Sequence, residues 1–105
     1  MKTTQETLII VDAQNDFGHE NGSLYVKGGE LIIPEVNRLI NEIRSRSGII
    51  IATKDWHPEN HISFASRFGL TPFSLHDGEM KWPNHCVADT WGAELMAGIE
   101  NQDPF

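Results

Sequence analysis

The chain has 105 residues, enough for one domain, and its 39% hydrophobic and 22% charged residues exclude a disordered chain. Eight Lys and Arg against 15 Asp and Glu give a net charge of −7, which excludes the basic surface that nucleic acid or an anionic membrane requires. The single cysteine, Cys86, excludes an intrachain disulfide and fits a reducing compartment.

Leu8-Ile9-Ile10-Val11, closed by Asp12, is a continuous apolar run. It is shorter than the ~7–15 residues of a signal-peptide core. No stretch of the sequence approaches the ~20 apolar residues of a membrane span, so a soluble cytoplasmic protein is expected. Continuous rather than alternating apolarity predicts a strand buried on both faces, as in parallel sheets. A second such run, Ile49-Ile50-Ile51-Ala52-Thr53, is entered through Gly48.

Between them, Pro34 suits a first helical position, and Val36, Leu39, Ile40 and Ile43 form one apolar stripe at i, i+3, i+4 and i+7. Gly48, after Arg44-Ser45-Arg46-Ser47, suits the helix stop. Strand, helix, strand is a βαβ unit with a right-handed crossover, and the fold class is α/β.

Residues 18–30 read as a Gly-containing loop with a short strand at Leu24-Tyr25-Val26. Residues 55–89, interrupted by Pro58, Pro72 and Pro83, read as irregular, and irregular segments of that length in a compact domain tend to be functional. A short helix is predicted within residues 90–99, with Ala93, Leu95 and Met96 on its apolar side.

Asp55-Trp56-His57 follows the second strand directly. In an extended segment, residues two apart point the same way, so the Asp55 carboxylate and the His57 imidazole converge beyond the strand's C-terminal end, where open α/β sheets bind ligands. Such a mixed oxygen and nitrogen pair suits Zn, Fe or Mn. His61 and His85 are available as further ligands; the plain alternative is solvated loop histidines.

Asp12 ends the first strand, and as a desolvated acid it is a candidate general base; the alternative is a turn cap. Gln14, Asn15 and Asp16 are compatible with turn chemistry alone. Phe17, Trp56 and Trp82 are core filler or walls for a flat ring. Cys86 reads as a small buried hydrophobe rather than a nucleophile, and His19 and His76 as surface loop residues.

Taken together, these segments resemble a known family. Thr7-Leu8-Ile9-Ile10-Val11-Asp12-Ala13-Gln14-Asn15-Asp16-Phe17 is similar to the opening strand and VDxQNDF motif of nicotinamidases (pyrazinamidases), within the isochorismatase-like cysteine hydrolases. Gly22-Ser23-Leu24-Tyr25-Val26, Ala52-Thr53-Lys54-Asp55-Trp56-His57-Pro58, His61-Ile62-Ser63-Phe64-Ala65-Ser66 and Trp82-Pro83-Asn84-His85-Cys86-Val87 follow in the family's order. The resemblance implies a three-layer α/β fold with a parallel sheet, incomplete in this chain. Residues 1–105 would then be the N-terminal part of a single hydrolase domain.

The implied reaction is deamidation of nicotinamide to nicotinate and ammonia, a step of NAD salvage, with pyrazinamide-like amides as further substrates. Asp12 matches the general base. Asp55, His57 and His85 match the ligands of a divalent metal, Zn first and Fe or Mn as alternatives. His61 is a weaker ligand candidate, because a further loop His ligates in some members at a different spacing. Phe17 and Trp82 match the aromatics that hold the substrate ring.

Two departures from the family pattern bear on function. Where the family continues Gln-Gly-Thr-Pro-Gly-Ala after the His-Cys-Val segment, this chain has Ala88-Asp89-Thr90-Trp91-Gly92-Ala93. No residue matches the family's catalytic lysine or nucleophilic cysteine, and Cys86 matches the cysteine beside the metal His. The isolated chain is therefore expected to be inactive, and to self-associate or to pair with a complementing C-terminal segment. The alternatives are a non-catalytic metal- or ligand-binding remnant, or another hydrolase of the superfamily; the Asp-x-His pair, absent from isochorismatases, counts against the latter.

Overall fold

A computed structural model describes residues 4–100. Strand β1 (Thr7–Ile10) leads through a tight bend into a one-turn helix α1 (Asn15–Gly18). A 3₁₀ turn (Gly29–Ile32) then opens the long helix α2 (Ile33–Ser45), which returns the chain to strand β2 (Ile49–Ala52). The two strands pair in parallel, Thr7 opposite Ile49 through Ile10 opposite Ala52, which is the predicted βαβ unit.

Helix α2 begins with a proline in its first turn and packs its apolar stripe on one face of this sheet. Ile40 is fully buried in a core with Ile10, Ala13, Leu95, Met96 and Ile99, flanked by Leu8, Val36, Ile50 and Ala52. The polar side of α2 carries Arg38 between Glu35 and Glu42, and Arg46 between Glu42 and Glu6.

Four details depart from expectation. Burial of the strands is one-sided: Ile9, Val11, Ile49 and Ile51 are 44–68% exposed, because α2 covers one face of a two-stranded sheet and the described residues place no second layer on the other. Of the three layers expected, the described residues thus supply the sheet and one helical layer.

The segment Leu24-Tyr25-Val26 forms no strand. Its amides are drawn onto α1 instead, with the Leu24 N–H donating to the Asp16 carbonyl at 3.0 Å and the Val26 N–H to the Phe17 carbonyl at 2.9 Å. The helix predicted within residues 90–99 is only a 3₁₀ turn, Trp91–Ala93. Residue 95 is claimed by an antiparallel bridge to Gln14, so the apolar residues reach the core in extended rather than helical form.

Finally, α2 stops earlier than Gly48. Ser47 takes the left-handed turn (φ 55°), while Gly48 is needed for close approach: a Cβ there would lie 2.5 Å from Ile43 Cγ2 and 2.8 Å from the Glu6 carbonyl oxygen.

The long segment after β2 is irregular as predicted, with a 3₁₀ turn (Ala65–Phe68) and a small hairpin of β3 (Leu75–His76) and β4 (Glu79–Met80). His76 stacks on Phe68 at 4.1 Å within this arm rather than standing free in a loop.

Equilibrium urea unfolding tests the packing. Gly48→Ala is expected to cost about 1–3 kcal/mol through overpacking, and Ile40→Ala about 2–5 kcal/mol through the cavity it leaves. A Gly48→Ala loss below about 0.5 kcal/mol, the range of an ordinary surface change, would contradict the close approach.

Candidate metal centre

Strand β2 ends at Ala52, and the residues beyond it bring Asp55 and His57 together, with His57 Nε2 3.7 Å from Asp55 Oδ2. His57 is held by a parallel backbone bridge to residue 87: its N–H donates to the Cys86 carbonyl (2.9 Å) and its carbonyl accepts from Ala88 N–H (2.8 Å). This bridge sets His57 beside His85 although 28 residues separate them in the chain. One ligand atom each from Asp55, His57 and His85 lies within 4.8 Å of the others.

His85 is buried, and its Nδ1 donates to the Pro83 carbonyl at 2.8 Å, which leaves the Nε2 lone pair free to ligate. Burial, reinforced by the neighbouring His61 and His85 and opposed by the Asp55 carboxylate, holds the His57 imidazole below its ordinary pKa. Its neutral, metal-binding form is thereby favoured.

These groups line an open cleft of about 290 Å³ that also contains Phe17, His61 and Trp82. Phe17 packs on the His85 ring at 5.7 Å, and Trp82 stands edge-on to Phe73 at 5.9 Å. Trp56, by contrast, is half exposed beneath the Lys54 ammonium and is not part of the cleft. His61 lines the cleft and stacks on His57 at 4.1 Å, but it stands outside the three-residue ligand cluster.

Asp12 occupies the turn at the end of β1 with φ 51°. Its Oδ1 accepts a hydrogen bond from the Thr53 hydroxyl (2.8 Å), and its N–H donates to the Thr53 carbonyl (3.2 Å). It is half-buried rather than desolvated. Asp12 lines an adjoining apolar cleft of about 170 Å³ with Val11, Val26 and Met96, and Phe17 forms a wall of both clefts.

Cys86 is fully buried, and its thiol is pushed up to about 12 by burial and by the carboxylates of Asp16, Asp55 and Asp12. It behaves as the small hydrophobe anticipated from sequence. His19 packs edge-on against Trp91 at 4.9 Å, away from the metal cluster.

The residues that sequence reasoning underrated are those holding this site in place. Gln14 is fully buried. Its Nε2 donates to the carbonyls of Asp55 (2.7 Å) and Ala93 (2.8 Å), and its Oε1 accepts from the Asp55 N–H (2.9 Å). Asn15 Nδ2 donates to the Trp91 carbonyl at 2.8 Å. Asp16 accepts from the Cys86 N–H at 2.7 Å and the Ser23 N–H at 3.0 Å. The carboxylate fits there because residue 92 is glycine: a Cβ on Gly92 would fall 2.0 Å from Asp16 Oδ2.

Phe64, likewise fully buried, packs edge-on beneath all three cleft imidazoles, 5.4–5.6 Å from His85, His57 and His61. A polar triplet after a strand reads equally well as turn or hub, and only the long-range partners decide which.

Comparison with known proteins places this geometry in context. Residues 6–105 match the isochorismatase domain family. Nicotinamidase of Escherichia coli is 45% identical over 92 residues, covering 84% of this chain and 43% of that protein. The nicotinamidase of Saccharomyces cerevisiae is 38% identical over 110 residues, covering 92% of this chain and 51% of that protein.

Among solved structures, yeast nicotinamidase bound to nicotinaldehyde superposes with a TM-score of 0.78 at 39% identity, over 91% of this chain and 50% of that one. The pyrazinamidase of Pyrococcus horikoshii in complex with zinc gives 0.73 at 43% identity, over 93% and 48%. The chain spans about half the length of the curated relatives it matches. With the parallel βαβ core and the sheet-end Asp-His-His cluster, these matches show that the chain belongs to the isochorismatase domain family and, within it, is similar to the nicotinamidases.

Proposed function

We propose that this chain is the metal- and ring-binding half of a nicotinamidase-like amide hydrolase. The observation that carries the reading is the convergence of Asp55, His57 and His85 in one cleft with Phe17 and Trp82. One carboxylate and two imidazoles, one with its Nε2 lone pair freed by the Pro83 carbonyl, fit a divalent metal with open coordination positions. Zinc is the first choice, as in the Pyrococcus horikoshii relative, and iron or manganese accept the same donors. When bound, the metal supplies a Lewis-acid anchor for the nitrogen of a pyridine-type ring. Phe17 and Trp82 hold the faces of that ring.

Asp12 is the proposed general base. It takes the proton of a nucleophilic thiol; the thiolate forms a C–S bond to the carboxamide carbon, and the C–N bond breaks as Asp12 passes that proton to the leaving nitrogen, which departs as ammonia. Water then hydrolyses the thioester to the carboxylate and restores the thiol. That thiol is not Cys86, which is buried and held protonated, and the sequence has no other cysteine. The nucleophile and a supporting lysine are proposed to come from a complementing C-terminal segment. Such a segment would also cover Ile9, Val11, Ile49 and Ile51 on the open sheet face; self-association is the alternative cover. The whole assembly is assigned to cytoplasmic NAD salvage, acting on nicotinamide and pyrazinamide-like amides.

A second reading, a metal-binding remnant without catalysis, draws on the same buried thiol and is separated by an ammonia-release assay with nicotinamide. The 105-residue chain is expected to release none alone, and to release ammonia once a downstream segment bearing the lysine and cysteine is supplied. Continued silence with that segment favours the remnant. Turnover by the isolated chain that survives Cys86→Ala contradicts the mechanism.

Metal analysis after gel filtration should show loss of stoichiometric Zn in Asp55→Ala and His85→Ala, and retention in both variants removes these residues from the ligand set. Gln14→Leu, which releases the backbone of Asp55, is expected to weaken Zn binding about 10–100-fold without removing a ligand. Cys86 should resist a thiol reagent until the chain unfolds.

A further inference from the structure

His61 presents an imidazole to the metal cleft, yet neither of its nitrogens offers a free lone pair. Its Nδ1 lies 2.7 Å from the Ser63 hydroxyl and accepts the Ser63 backbone N–H at 3.2 Å. A backbone N–H only donates, so Nδ1 must be unprotonated. In a neutral imidazole the proton then resides on Nε2. This is the reverse of His85, whose Nδ1 carries the proton and donates to the Pro83 carbonyl. The two histidines line one cleft with opposite tautomers, one fit to ligate and the other fit to donate.

The His61 ring is held in place from two sides, stacked 4.1 Å from His57 and packed edge-on against Phe64 at 5.6 Å. With three protein ligands, a bound divalent ion would keep a coordination position open besides the one assigned to the ring nitrogen, and an N–H held in the same cleft suits a second ligand atom that binds the ion with one electron pair and accepts a hydrogen bond with another.

We propose that His61 is not a metal ligand but the cleft's hydrogen-bond donor, kept in its Nε2–H tautomer by Ser63 to orient an anionic or carbonyl-type ligand seated on the metal. This rests on the metal centre proposed above.

The test uses the whole chain loaded with Co(II), with azide as the probe ligand and visible absorption as the readout, so no turnover is needed. His61→Phe keeps a stacked ring without the donor, and His61→Gln keeps an acceptor for Ser63 and an N–H donor. Co(II) affinity should stay within about threefold in both variants, whereas loss of a true ligand would reduce it far more. Azide affinity should fall about tenfold in His61→Phe, the scale of a hydrogen bond to a charged group, and be largely restored in His61→Gln.

Nitrogen-15 NMR of the metal-free chain should report His61 as the Nε2–H tautomer, a signature that holds whether or not either variant folds poorly. Collapse of Co(II) binding in His61→Phe with near-native circular dichroism, equal azide affinity in all three proteins, or an Nδ1–H tautomer would each overturn the assignment. Failure of the unaltered chain to bind Co(II) at all would instead overturn the metal centre itself, and this role of His61 with it.

Discussion

One buried polar hub organises the molecule. The side chain of Gln14 is bound at both ends to the backbone of Asp55 and reaches across to Ala93, while Asp16 seizes the amide of Cys86. Three segments distant in sequence, residues 14–16, 55–57 and 85–93, thus share one set of hydrogen bonds, buried from Gln14 to Ala93 and from Asp16 to Cys86 and partly buried at Asp55. Buried donors and acceptors left without partners cost about 1–3 kcal/mol each, so the hub tolerates little rearrangement. Among the described residues, no buried side-chain nitrogen or oxygen lacks a partner. The cost of the left-handed backbone at Cys86 (φ 49°) is offset in the same place, because that conformation directs its amide to a carboxylate.

The parts of the fold that were readable from the chain are those governed by local periodicity. The 3.6-residue stripe of α2 and the β-branched run of β2 announce themselves without knowledge of neighbours. Burial was less readable, because a run such as Leu8-Ile9-Ile10-Val11 states that both faces favour apolar contact, not that both are covered. The outcome for residues 90–99 shows the same limit: their composition allows a helix, but pairing of Leu95 with Gln14 across 81 positions decides the matter.

The candidate site divides along a similar line. Asp55 and His57 were visible because a two-residue spacing after a strand is itself geometric information. His85 was available as a further ligand by residue type, but only the resemblance of its motif set it in the ligand set, since nothing local ties it to residue 57. Gln14, Asp16 and Phe64 were hidden for a physical reason. Their roles are defined by what they touch, and amide, carboxylate and phenyl groups carry no spacing signature for a hub or a platform. His61 is the intermediate case, recognisable as a cleft residue by its sequence neighbourhood, with its tautomer decided by Ser63 alone.

The backbone bridge between residues 57 and 87 means that the irregular excursion joining them is pinched shut at its base. Entropy of loop closure grows only slowly with length, about 0.6 kcal/mol for each doubling. The arm carrying β3 and β4 is therefore able to lengthen, shorten or change composition at small thermodynamic cost, with Asp55, His57 and His85 at its neck left undisturbed.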